Sequence, residues 1–219
     1  MIDTTTKYLG LELPSPVIAT ASPVTSRIEG LQALAEAGAG AAVLPSLFEE
    51  QIEHDTMAVH YGLELGSGIF AEAAEGYFPE MDDYNTGPDD YVRSVTEAKR
   101  STNMAIIPSI NGYSRGGWVR YAHQLEDAGA DAIELNIYFV AADPTTTARE
   151  LEDRYVRLVE EVRMEITVPL AVKIGPAFSS VPEMDRRLFS AGANGLVLFN
   201  RFYQPDIDLD SMRVEPNLV

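Results

Sequence analysis

The sequence contains no cysteine. This absence excludes disulfides, thiolate metal sites and cysteine nucleophiles. No apolar run approaches the roughly 20 residues that a membrane-spanning helix needs. The first residues, MIDTTTKYLGLELP, lack the basic and apolar regions of a signal peptide. Together these absences predict a cytoplasmic protein without a membrane partner.

Basic residues are also scarce. Lysine and arginine number 16 against 34 acidic residues, which gives a formal net charge of -18. Such a chain would be repelled by the phosphate backbone of nucleic acid, so a small-molecule substrate is the expected partner. Histidine occurs three times, as His54, His60 and His123, and none has metal-site spacing. No metal is therefore predicted.

Six apolar runs alternate with helical patterns along the chain. Three segments share one plan, in which a helix ends in Ala-Gly-Ala and an apolar strand follows directly. Alternation of this kind predicts a parallel sheet covered by helices, as in a (β/α)8 barrel or an open doubly wound sheet. The strands are expected within 15–22, 41–46, 103–111, 131–138, 168–175 and 195–200, and the helices at 27–37, 49–64, 88–101, 117–128, 148–165 and 181–190.

The chain is interpreted as one domain over residues 1–219, with an insert at about 48–100. The insert contains a long loop at 73–87, rich in Gly, Pro, Asp and Tyr. YLGLELPSP near the start is expected to contribute to a small hairpin that closes the barrel bottom. The segment after residue 200 is interpreted as a loop or hairpin.

Polar residues end most of these strands on one face. With a period of two, the predicted inward faces include Ala42, Leu44 and Ser46 in the second strand, and Leu196, Leu198 and Asn200 in the sixth. In a barrel the carboxyl ends of the strands form the ligand-binding mouth. Unpaired polar groups buried there would cost several kcal/mol, so a binding site is predicted. Its members are Ser22, Ser46, Asn111, Asn136, Lys173 and Asn200, with Glu134 deeper.

A lysine among amides suits a planar, hydrogen-bonding ligand that accumulates negative charge, such as a reduced flavin ring. The motifs SPVIATAS, IIPSING, IELNI, PLAVKIG and GLVLFN resemble, in this order, strands of the dihydroorotate dehydrogenase family, and most closely its bacterial dihydroorotate dehydrogenase-like branch. The resemblance implies an FMN-containing (β/α)8 barrel. It also implies an oxidoreductase that converts dihydroorotate to orotate in pyrimidine biosynthesis.

The resemblance also implies roles for individual residues. Ala21 and Ser22 would contact the flavin, and Asn111 and Asn136 would contact flavin or substrate. Lys173 would lie near flavin N1 and O2 and stabilise the anionic reduced ring. Asn200 would contact the substrate, and Ser46 joins the predicted cofactor-binding set from its place at the mouth.

Several positions depart from the family pattern. Tyr138 and Phe139 stand where the family has Ser-Cys, and Ala141 stands for an Asn. Phe139 cannot take a proton. Tyr138 is the remaining candidate base, but phenols ionise near pH ~10 and are poorly suited to that role at neutral pH. Pro45 falls near the position of a family lysine.

These departures leave three hypotheses open. The chain is an FMN oxidoreductase with an altered substrate, an inactive or non-catalytic flavin-binding paralogue, or a Schiff-base barrel enzyme that uses Lys173. Only about six of eight βα units are recognised, so a C-terminal truncation is expected. The family's glycine-rich phosphate loops are not found, which predicts weak or no FMN binding. A homodimer is also considered, because an open barrel exposes strand edges.

Overall fold

Parallel pairing organises the chain around a six-stranded sheet. In this computed structural model, the structure describes residues 3–49, 52, 87–112, 116, 119–138 and 143–200, and the backbone of strands 205–208 and 213–216. The sheet strands are β3 Ile18–Ala19, β4 Ala41–Phe48, β5 Ala105–Asn111, β6 Ile133–Asn136, β7 Leu170–Ile174 and β8 Gly195–Leu198. Two hairpins add β1 Thr6–Tyr8, β2 Leu11–Leu13, β9 Pro205–Asp208 and β10 Arg213–Pro216.

The strand order distinguishes the two folds that the sequence leaves open. Within the described residues the order is β3-β4-β5-β6-β7-β8, so each strand pairs with its neighbours in the chain. A doubly wound sheet would reverse direction at a switch point, whereas a barrel keeps a sequential order. The parallel α/β prediction is confirmed, and the curled sheet corresponds to part of a barrel.

Helices connect the strands of this sheet. They are α1 Ile28–Glu36, α2 Pro88–Ser101, α3 Arg120–Asp127, α4 Ala148–Glu165 and α5 Val181–Ser190. The predictions at 88–101, 148–165 and 181–190 are confirmed to the residue, and α1 and α3 are shorter than predicted. The helix predicted at 49–64 and the loop at 73–87 lie almost entirely outside the described residues. In the described part of the chain, no helix is both long enough and apolar enough to cross a bilayer.

The Ala-Gly-Ala repeat is confirmed as a helix-ending motif. Gly38, Gly129 and Gly192 all have positive φ, at 87°, 98° and 109°. After each glycine, an alanine N–H donates to a carbonyl five residues earlier, as in Ala39 to Leu34. This is the Schellman pattern, and it turns the chain into the next strand within a few residues.

The first hairpin closes the inner side of the sheet from below. Leu9 and Gly10 form its turn with φ values of 53° and 80°, as a two-residue type I′ turn requires. Leu9 and Leu13 are buried against Ala41 and other inward-facing strand residues. The predicted hairpin near YLGLELPSP is therefore confirmed. So is the hairpin predicted after residue 200, which is the antiparallel pair β9–β10.

The two faces of the sheet bury different residues. Ile106, Leu135 and Val172 pack against the helices in the larger core. Ile107 and Ala171 pack on the opposite, inner face in a smaller apolar cluster. The alternation predicted for β5, β6 and β7 is therefore confirmed.

In β4 the predicted face was wrong over its first half. Ala42 and Leu44 lie in the helix-facing core, while Ala41 and Val43 face inward. The pairing with β5 is irregular between Val43 and Ser46, so the alternation shifts there. Pro45 and Pro108 lie at this irregularity, and neither can donate a ladder hydrogen bond. The shift brings Ser46 into register with Ser109 on the inner face.

In β8 the predicted face was also wrong. Leu196 packs against the helix-facing core, and Val197 packs against the inner cluster. Val197 is in register with Lys173 of β7, and paired residues of parallel strands share a face. Period two alone could not assign this strand, because both of its faces are apolar.

Candidate functional site

A polar layer lies directly above the apolar inner cluster. Ser46, Ser109 and Glu134 are in register on β4, β5 and β6. The Ser46 and Ser109 hydroxyls are 2.9 Å apart, and the Ser109 hydroxyl also donates to Glu134 Oε1 at 3.1 Å. Ser109 is fully buried and Glu134 is only 3% exposed. The three side chains therefore form one hydrogen-bonded chain across the inner face.

Tyr91 of α2 hydrogen-bonds to the backbone of β5 beside the irregular pairing of β4 and β5. Its hydroxyl accepts the Ser109 backbone N–H at 3.0 Å and donates to the Ser109 carbonyl at 3.2 Å. These backbone groups would otherwise be buried beside the β4 irregularity, where an unmade hydrogen bond is costly. Tyr91 thus holds Ser109 in place.

Burial dominates the ionisation behaviour of this layer. It raises the pKa of Glu134, although Lys173 and the Ser109 hydroxyl partly offset the effect. Burial and the nearby Glu134 carboxyl raise the pKa of Tyr8. Burial also raises the pKa of Tyr91 above its ordinary value. Both phenols are therefore neutral at physiological pH.

A second polar row lies one step closer to the carboxyl ends of the strands. Asn111, Asn136 and Lys173 are Cα partners across β5, β6 and β7. Asn111 is 8% exposed, and Asn136 and Lys173 are half-buried. Asn136 Oδ1 is buried and has no hydrogen-bond partner within the described structure. The row thus presents amide groups, one ammonium and an unused acceptor at the mouth.

Asn200 also reaches this end of the sheet. Its backbone N–H donates to the Ile174 carbonyl at 2.8 Å, and its side-chain amide donates to the Ile137 carbonyl at 3.3 Å. These bonds tie the end of β8 across the ends of β7 and β6. The structure therefore gives Asn200 a positioning role for the backbone and brings it close to the row.

The early members of the predicted set lie apart from the row. Ala21, Ser22 and Ser46 line a cavity of about 420 Å³ between the loop after β3, the end of β4 and α2. Buried Thr25 shapes this loop by accepting the Ser22 N–H at 3.0 Å. Ser46 belongs both to this cavity and to the polar layer, because its hydroxyl also contacts Ser109.

The matched relatives agree on one kind of enzyme. No protein-family model matches the chain. The catalytic subunit of dihydroorotate dehydrogenase B (NAD(+)) from Methanocaldococcus jannaschii is 24% identical over 93% of this chain and 64% of its own length. The Thermoplasma volcanium subunit of the same name is 25% identical over 96% of this chain and 66% of its length. The Methanosarcina acetivorans subunit of that name is 27% identical over 92% and 62%.

The chain resembles the dihydroorotate dehydrogenases. The predicted resemblance is thereby confirmed. The chain spans 64% and 66% of the length of the first two of these curated relatives.

In the altered motif after β6, the structure describes Tyr138. Tyr138 is half-buried. Burial, with an additional electrostatic contribution from Tyr138, raises the pKa of Tyr155 on α4 to about 12. Phe139 and Ala141 lie outside the described residues.

Sequence reasoning missed two residues of this region. Tyr91 and Thr25 are buried and organise the strand ends, yet neither belongs to a predicted strand. The spacing of Tyr91, Val95 and Ala98 indicates a buried helix face. It could not identify the backbone groups that the Tyr91 hydroxyl would bond.

Replacing Glu134 with glutamine is expected to flatten the pH dependence of stability. The folded chain retains the Glu134 proton to a higher pH than the unfolded chain, because burial raises its pKa above the ordinary 4.5. The free energy of unfolding should then fall as pH rises above this ordinary value. Glutamine removes that loss and can still accept from the Ser109 hydroxyl. Urea unfolding at about pH 5 and about pH 8 measures the change.

Glu160→Gln on the exposed side of α4 provides the matched control. It should keep the wild-type pH dependence, because neutralising an exposed carboxylate changes the free energy of unfolding little. An unchanged pH dependence in Glu134→Gln would contradict the assignment.

Proposed function

We propose that this chain belongs to an FMN-dependent oxidoreductase of the dihydroorotate dehydrogenase type, acting on a substrate other than dihydroorotate. The observation that supports this is the row of Asn111, Asn136 and Lys173 at the carboxyl ends of three adjacent strands. Ligands of parallel α/β barrels bind at this end.

The residues of the row fit a flavin ring. Asn136 Oδ1 is a buried acceptor without a partner among the described residues, and a ring N–H would satisfy it. Lys173 is half-buried and would offset negative charge that develops on the ligand. The apolar inner cluster below, including Val43 and Ile107, would exclude water from beneath the site. When bound, FMN would supply the acceptor for a hydride from a CH–CH donor.

The proposed fold of the whole functional unit is a (β/α)8 barrel. The sequential parallel order of β3 to β8 supports this fold. Ala21, Ser22 and Ser46 line a cavity that adjoins the polar layer through Ser46. We propose that they bind the cofactor at its edge, and that Asn200 contacts the substrate beside the row.

An altered substrate is favoured by the motif after β6. The family takes a proton from dihydroorotate with a serine or cysteine, and this sequence has Tyr138-Phe139 there. Phenylalanine cannot accept a proton. The substrate is therefore a hydride donor whose oxidation needs no base at this position. The alternative is a flavin-binding role without catalysis. The Schiff-base alternative requires a desolvated lysine, whereas Lys173 is only half-buried and has the Glu134 carboxyl near it.

The proposed partner, location and oligomeric state follow from the composition of the chain and from the edge strands of its sheet. The formal net charge of -18 supports a small-molecule substrate rather than nucleic acid. The cytoplasm is the proposed location, since the chain contains no cysteine. A homodimer is proposed because β3 and β8 end the sheet within the described residues and strand edges promote association.

FMN binding by the 219-residue chain tests the proposal directly. Quenching of FMN fluorescence should report binding that is saturable but weak, since the sequence shows no glycine-rich phosphate loops, and Asn136→Ala should weaken it about tenfold further, the effect of roughly one hydrogen bond. The matched control is Asn103→Ala, an exposed amide in the loop between α2 and β5. It should bind as the wild type does. Absence of saturable binding would sink the flavin assignment.

The substrate is tested on the flavin-loaded chain without oxygen. Dihydroorotate should leave the flavin spectrum oxidised, while dithionite should bleach it. Rapid bleaching of the flavin by dihydroorotate would contradict the proposal of an altered substrate and would support oxidation of dihydroorotate itself.

A further inference from the structure

Glu134 has no role in the function proposed above, yet its burial needs an explanation. Its side chain is 3% exposed and accepts a hydrogen bond from Ser109. A buried carboxylate costs several kcal/mol unless charge or hydrogen bonds compensate it. A glutamine would make the same contact with Ser109 without that cost.

Lys173 is the cationic partner available to this acid. Glu134 is in register with Ala171 on β7, two residues before Lys173 on the same face. The lysine also acts electrostatically on the Glu134 carboxyl. The acid therefore lies one layer below the row, on the same inner face as Lys173.

Other ionisable groups near Glu134 remain uncharged at neutral pH. Tyr8 approaches from the first hairpin and Tyr91 from α2, and burial raises the pKa of both phenols. Ser46 and Ser109 add hydroxyls from β4 and β5. Among the described residues, Glu134 and Lys173 thus determine the charge of this part of the inner face.

We propose that Glu134 is a positioning residue that sets the charge which Lys173 offers to an anionic ligand. With a proton on Glu134, the ammonium is free to act on the ligand. With Glu134 ionised, the carboxylate offsets that charge. Binding of an anionic ligand should therefore be accompanied by uptake of a proton at Glu134, because the two events are linked. The identity of the ligand as FMN rests on the function proposed above.

Carboxyl-carbon NMR of the ligand-free chain tests the coupling without any flavin. With glutamate labelled at the side-chain carboxyl carbon, Glu134→Gln identifies the Glu134 resonance. Lys173→Met should move the Glu134 titration midpoint upward, since an opposite charge is removed. Lys7→Met removes an exposed lysine on β1 and should leave the midpoint unchanged. An unmoved midpoint in Lys173→Met would overturn the proposal.

A second experiment measures, without oxygen, how the affinity for dithionite-reduced FMN, whose ring is anionic, depends on pH. In the wild type, affinity should fall by up to about tenfold per pH unit through the Glu134 titration, as expected for uptake of one proton. Glu134→Gln should remove this dependence, whereas Glu160→Gln should retain it. A wild-type dependence that persists in Glu134→Gln would refute the proposal. Failure of FMN to bind would refute the flavin assignment, and the NMR titration would still decide the coupling.

Discussion

Lys173→Met is expected to lower the two-electron reduction potential of FMN bound to this chain by about 40 mV. A charge-assisted contact contributes about 2 kcal/mol, and about 30 mV corresponds to 1.4 kcal/mol for a two-electron couple. Lys173 is the cation of the polar row, in register with Asn136. Its charge should favour the anionic reduced ring over the neutral oxidised ring. Titration against dyes of known potential, followed by absorbance, measures the change.

Two further variants distinguish charge from packing at this position. Lys173→Arg retains the positive charge, so its reduction potential should lie closer to that of the wild type than to that of Lys173→Met. Lys7→Met removes a lysine whose side chain is 75% exposed in its ion pair with Glu12, and it should leave the potential unchanged. A potential that is equal in Lys173→Met and wild type would show that Lys173 does not contact the reduced ring.

Gly40→Ala is expected to destabilise the fold by about 3 kcal/mol or more. Gly40 precedes β4 and is buried, and its N–H donates to the Val17 carbonyl at 2.8 Å. A β-carbon there would lie 2.2 Å from the Ser15 carbonyl oxygen and 3.2 Å from Leu13 Cβ. Both obstacles are close to the backbone, so the chain itself must move. Denaturant unfolding followed by circular dichroism measures the loss.

Gly175→Ala is the matched control, because a β-carbon at Gly175 would meet nothing within 4 Å. Its effect should remain within about 0.5 kcal/mol, as at positions without a steric conflict. Equal stability of Gly40→Ala and wild type would show that the close approach of residues 13–15 to β4 is absent in solution.

Much of the fold could be read from local patterns. The spacing of apolar residues located α4 and α5 to the residue, because amphipathic periodicity is a local property. The Ala-Gly-Ala ends predicted the left-handed turns at Gly38, Gly129 and Gly192. The polar row of Asn111, Asn136 and Lys173 was predicted from period two, since β5, β6 and β7 keep regular pairing there.

One mistake occurred where the pairing departs from that regularity, and the other occurred in a regularly paired strand whose two faces are both apolar. In β4, Pro45 lies at the irregularity that shifts the alternation, so Ala42 and Leu44 face the helices while Ser46 faces inward. In β8, both faces are apolar and local pattern cannot choose between them. The contribution of Tyr91 depends on a contact between α2 and β5, 18 residues apart in the chain.

The sequence by itself determined the alternation of strands and helices, the residue types at the strand ends and the resemblance to dihydroorotate dehydrogenases. These depend on local spacing and on residue order, which the chain carries directly. Only the tertiary structure decided that Ser46, Ser109 and Glu134 form one hydrogen-bonded chain beneath Lys173. It also placed Asn136 Oδ1 in a buried position, where no other described residue hydrogen-bonds to it. Burial and register between strands arise from packing of distant segments, so no local pattern specifies them.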